Sequence, residues 1–94
     1  MPLKNGELLQ QRYQVNTVVK AGGMGSIYLA HDNNLDGPCA IKEMHPSDDT
    51  WVTRRFREEA TLLSHLQHPN IPRVRDFFQL EREGNTLCYI VMDF

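Results

Sequence analysis

Runs rich in β-branched, aromatic and apolar residues recur along this chain between polar and Gly- or Pro-containing stretches, and these runs predict strands. Residues 12–19, "RYQVNTVV", are rich in β-branched and aromatic side chains, and in "SIYLA" Ile27 and Leu29 alternate with Tyr28 and Ala30. With the glycines between them these two runs predict a hairpin. The Asn, Asp, Gly and Pro of "HDNNLDGP", residues 31–38, predict a turn, and "CAIKEM" a short third strand. "RVRDFFQL" (73–80) and "TLCYIVMDF" (86–94) predict two more strands around the polar turn "EREGN". Residues 51–67, "WVTRRFREEATLLSHLQ", lack both Gly and Pro and predict the long helix. "HPSDDT" supplies N-cap residues before that stretch, and "HPN" ends it, because a residue before proline is pushed out of helical geometry. The order of elements predicts an α+β fold, a five-stranded antiparallel sheet with one long helix packed on it.

Two charges break the pattern. On a helical wheel Val52, Phe56, Leu63 and Leu66 share one side, and Glu59 completes their spacing. In "CAIKEM", alternation puts Cys39 and Ile41 on one strand face and Ala40 with Lys42 on the other. Either charge could lie at a rim, with its stem covered and its head in water. An isolated buried ion costs several kcal/mol, whereas opposite charges about 4 Å apart recover about 4 kcal/mol at an effective dielectric near 20. Lys42 and Glu59 therefore answer each other. Such a pair adds little stability over apolar replacements, so its presence points to something the lysine does.

Composition sets the outer bounds. Ninety-four residues, 40% apolar and 23% charged, with a net charge of −2, describe one ordinary globular domain. That balance argues against contact with nucleic acid or an anionic membrane. Cys39 and Cys88 lie far apart in apolar runs and are expected as reduced core thiols of a cytoplasmic chain. No stretch has the apolar length of a signal peptide or a membrane span, so no membrane contact by this segment is expected. His65 and His68 are three residues apart, but further ligands are wanting nearby, and no metal site is expected among these residues. "KAGGMGSIYLA", residues 20–30, fits both a tight turn and a backbone cradle for phosphates.

Taken together, "RYQV", "KAGGMGSIY", "CAIK", "FREEATLLSHLQHPNI" and "YIVMDF" resemble, in that order, the amino-terminal lobe of a protein kinase. "AIK", a helical glutamate 17 residues later and "HPNI" nine residues after that glutamate form the specific part of the match, and "GGMG" with "HPNI" is most like bacterial serine/threonine kinases of the eukaryotic type. The resemblance implies that Lys42 holds the α- and β-phosphates of ATP and is steadied by Glu59. It implies that Gly22, Gly23, Met24 and Gly25 cover the phosphates with backbone N–H groups. Ile27 and Ala40 would line the adenine site, Met92 would be its gatekeeper, and the backbone of Asp93, followed by Phe94, would open the hinge. Leu63 and Val74 fall where the family's regulatory hydrophobic stack passes. Arg55 resembles a position that in some kinases contacts a phosphorylated activation loop, and is equally well read as solvated.

One departure is visible: Lys20 occupies the place of the first glycine in the family's Gly-x-Gly-x-x-Gly loop. The catalytic aspartate, the Asp-Phe-Gly magnesium ligands and the activation segment belong to the family's carboxy-terminal lobe. Residues 1–94 are thus expected to be a partial kinase domain ending at the hinge, without the C-lobe. By itself this segment is expected to transfer no phosphate. ATP, the C-lobe of a parent kinase and a protein substrate are the implied partners, with magnesium held in the full-length enzyme. The alternative is a pseudokinase or regulatory interaction module in which Lys20 marks relaxed nucleotide binding.

Overall fold

A computed structural model describes residues 3–21, 25–44 and 73–94, together with Arg54, Arg57, Glu58 and Thr61. Six strands are present among these residues: β1 (Leu8–Leu9), β2 (Tyr13–Ala21), β3 (Gly25–Asp32), β4 (Gly37–Met44), β5 (Val74–Arg82) and β6 (Asn85–Asp93). They form one antiparallel sheet in the order β1-β2-β3-β4-β6-β5. The predicted sheet had five strands; the sixth is the two-residue β1, paired to β2 through Leu8↔Gln14 and Leu9↔Tyr13. The predicted helix lies outside the described residues except for Arg54, Arg57, Glu58 and Thr61, which are helical and exposed.

Turn chemistry explains the strand junctions. Between β5 and β6, Glu83 and Gly84 both have positive φ, 54° and 79°, the mirror-image turn whose twist matches a hairpin. Between β3 and β4, Asp36 at φ 53° closes a loop two residues shorter at each end than its polar sequence suggests. The β1–β2 junction uses Gln10 and Gln11, both at positive φ, where no Gly, Asn or Asp announces a turn.

Two apolar clusters lie on opposite faces of the sheet. Tyr13, Val15, Tyr28, Ala30, Cys39, Ile41, Tyr89 and Val91 pack with Leu3, Leu9, Phe78 and Leu87 in the main core. Met44, Cys88 and Ile90, with Val74, Phe77 and Met92, form the second. Both cysteines are free and buried. Side chains from well-separated strands meet across the inner face: Tyr13 of β2 stacks on Phe78 of β5, centroids 6.0 Å apart, and donates to Asp76 Oδ2 at 2.8 Å. The sheet is therefore curled, its main core inside the curl.

Candidate functional site

The antiparallel register assembles the predicted site residues in two adjacent rows across the second face. One row runs Lys20, Ile27, Lys42, Ile90, Phe77, and the next but one runs Thr17, Leu29, Ala40, Met92, Val74. Ile27, Ala40, Lys42 and Met92, chosen from the sequence, thus share one surface, since side chains two apart on neighbouring strands point the same way. Each is partly buried. Lys42 is flanked by Ile27 and Ile90, so an anion meeting its ammonium there would do so beside apolar side chains rather than in open water. Arg57, on the helical segment, sets its guanidinium carbon 5.7 Å from the Phe77 ring centroid, at the far end of the same row. Ile90 was not singled out by sequence reasoning; its apolar run gives no sign of which member adjoins Lys42.

Gly25 is required by strand packing. A Cβ at this position would overlap the carbonyl oxygen of Glu43 on the neighbouring strand. That reason is independent of any phosphate. Lys20 is an exposed β2 residue without positive φ, so a side chain is accepted at that place without backbone strain. A register irregularity lies between Val18 and Lys20, immediately before the loop. Gly22, Gly23, Met24, Arg55, Glu59, Leu63, His65 and His68 lie outside the described residues.

At the predicted hinge, the Asp93 N–H donates to the Arg73 carbonyl at 2.9 Å. That donor is committed, so the backbone group Asp93 could offer a base is its carbonyl. Its carboxylate accepts from Arg75 Nε at 2.5 Å, and Phe94 beyond it is exposed.

Two buried carboxylates on the inner face escaped sequence reasoning. Asp32 is fully buried and accepts from Arg12 Nε and Nη2, both at 2.8 Å, and from the backbone N–H groups of Asn34 and Leu35. The Arg12 guanidinium, outweighing the cost of burial, holds the Asp32 carboxyl down at about 2. Glu43, next to Lys42 in sequence but on the opposite face, accepts from the Tyr89 hydroxyl at 2.8 Å. Burial first, and this bond second, push the Tyr89 phenol well above its ordinary range. Both carboxylates look like solvated turn or strand charges in the sequence, because their partners lie 20 to 46 positions away.

This geometry has clear relatives. The chain is 40% identical over 91 residues to serine/threonine-protein kinase PrkC of Bacillus subtilis, matching 95% of this chain and 13% of PrkC. It is 33% identical over 95 residues to the probable serine/threonine-protein kinase YbdM of the same organism, matching 99% of this chain and 36% of YbdM. Its fold superposes on the kinase domain of Mycobacterium tuberculosis PknI with a TM-score of 0.78 and 30% identity, over 100% of this chain and 36% of that one. The chain is homologous to the amino-terminal lobe of bacterial serine/threonine protein kinases. No protein-family model matches it. The chain spans well under half the length of these relatives. Among the described residues no helix is long and apolar enough to cross a membrane.

Proposed function

We propose that residues 1–94 form the ATP-binding lobe of a serine/threonine protein kinase, a transferase that moves the γ-phosphoryl group of ATP to Ser or Thr of a protein substrate. The observation that carries this reading is Lys42, a partly buried cation in a row of apolar side chains, beside the row that holds Ala40 and Met92. In this reading Lys42 binds the α- and β-phosphates and Glu59 orients its ammonium. Gly22, Gly23, Met24 and Gly25 cover the phosphates, Ile27 and Ala40 cover the adenine ring, and Met92, Asp93 and Phe94 form its back wall and hinge. Magnesium, when bound, neutralises phosphate charge, and its ligands together with the catalytic aspartate would come from a carboxy-terminal lobe outside these residues. Buried, free Cys39 and Cys88 fit work in the reducing cytoplasm. The second reading, a pseudokinase or interaction module, is favoured by one feature, Lys20 at the place of the first loop glycine.

Autophosphorylation by the parent kinase decides between them. Lys42→Met and Glu59→Gln should each lower it by about 100-fold or more, the scale at which a charge-stabilising donor is lost. Wild-type rates in both variants would overturn the assigned roles. The 94-residue chain alone should transfer no phosphate from radiolabelled ATP, and transfer by the purified chain would overturn the division of labour between lobes.

A further inference from the structure

The β5–β6 register slips once. Val74 pairs with Met92 and Asp76 with Val91, so two steps along β5 are matched by one along β6 and Arg75 is the surplus residue. A bulge of this kind re-aims the side chain it carries. Here Arg75 Nε reaches Asp93 Oδ1 at 2.5 Å, and its Nη1 lies 3.5 Å from Asp32 Oδ2. Nη1 is shut off from water and completes no hydrogen bond, so its tie to Asp32 is charge on charge. Asp32 itself is immobilised by the two-pronged grip of Arg12 and by two backbone donors. Asp93 is 44% exposed at its side chain and, among the described residues, has no comparable anchor of its own.

We propose that Arg75 is a positioning residue for the hinge: set by the β5 bulge, it ties the Asp93 carboxylate to the buried Asp32 and so fixes the end of β6. The adenine-facing part of this inference rests on the kinase reading, because only there does the Asp93 backbone meet a base. The tie itself does not. Asp32 ends β3 and Asp93 ends β6, with β4 lying between these strands, so the guanidinium joins two strand ends that share no backbone ladder. Freed from it, the last residues of β6 would keep the Asp93 N–H bond to Arg73 and the pairing of Asp93 with Cys39.

Amide hydrogen exchange on the full chain tests the tie without any ligand. In Arg75→Met, and equally in Asp93→Asn, the Asp93 amide should exchange about tenfold faster, the scale of one lost charged hydrogen bond. The double variant should add nothing further, and the Tyr28 and Ile41 amides should be unchanged. Asp93→Asn alters a half-exposed group, so it carries the test should Arg75→Met fold poorly. Unchanged Asp93 exchange, or acceleration spread evenly over the sheet, would overturn the proposal. Titration with ADP then separates the two ideas. Several-fold weaker binding in Arg75→Met supports a role toward the base, whereas binding equal to wild type overturns that role. If the wild-type chain binds no ADP at all, the ATP-site reading fails, while the exchange result still decides what Arg75 does.

Discussion

Asp32 shows how a single residue can carry more than its sequence context suggests. "HDNNLDG" announces a turn, and Asp32 does receive the turn's N–H groups, from Asn34 and Leu35. What the local sequence cannot show is Arg12, 20 positions away, and Arg75, which make this carboxylate the centre of an ion cluster. Arg12 lowers the Asp32 carboxyl from 3.8 to about 2, against the opposing push of burial. The folded state therefore keeps Asp32 ionised at pH values where the unfolded chain protonates it. Its contribution to stability is complete above about pH 4 and is lost as pH falls through about 2. Asp32→Asn should cost about 3 kcal/mol near neutrality, because it leaves two guanidinium groups facing a neutral amide. The gap between wild type and variant, from urea unfolding followed by circular dichroism, should close progressively between about pH 4 and pH 2. A gap independent of pH would show that the charge contributes nothing.

Among the elements, five of the six strands were legible because they are runs of eight or nine residues rich in β-branched, aromatic and apolar side chains, most of them bounded by recognisable turn chemistry. β1 was not. Two leucines have no period, and the junction that returns the chain into β2 places glutamines at positive φ. Yet the amino-terminal segment is built into the sheet: the Leu3 N–H donates to the Tyr28 hydroxyl at 3.1 Å, and Val15 N–H donates to the Glu7 carbonyl at 2.8 Å. Arg82, at the far hairpin, pairs with the Glu7 carboxylate. Leu9 is 2% exposed in the main core and Leu8 51% exposed. Leu9→Ala should thus destabilise the chain by about 2–4 kcal/mol and Leu8→Ala by no more than about 0.5 kcal/mol, read from chemical denaturation. Equal effects would mean that β1 is an appendage rather than part of the core.

At the scale of the whole molecule, the sequence disclosed the surface bearing Lys42 but not the curl that carries it. Lys42 stood out as a charge on an apolar strand face, a feature that periodicity exposes. The curl depends on contacts between strands at nearly opposite ends of the sheet, and no local pattern encodes them. Tyr13 and Asp76 are 63 residues apart, and their 2.8 Å hydrogen bond sits beside the stack of Tyr13, Phe78 and Tyr89. Burial, and then Asp76, push the Tyr13 phenol far above its ordinary range, so the hydroxyl remains a donor throughout the physiological pH range. Asp76 also accepts from the Phe77 N–H, which orients the carboxylate toward β2. Tyr13→Phe and Asp76→Ala should then be non-additive, with a coupling of about 1 kcal/mol in a double-mutant cycle of unfolding free energies. Full additivity would assign closure of the curl to the aromatic stack alone. In that event Phe78→Leu, which keeps apolar bulk and removes the ring, should lower stability by more than Tyr13→Phe does, because it takes away both stacking contacts at once.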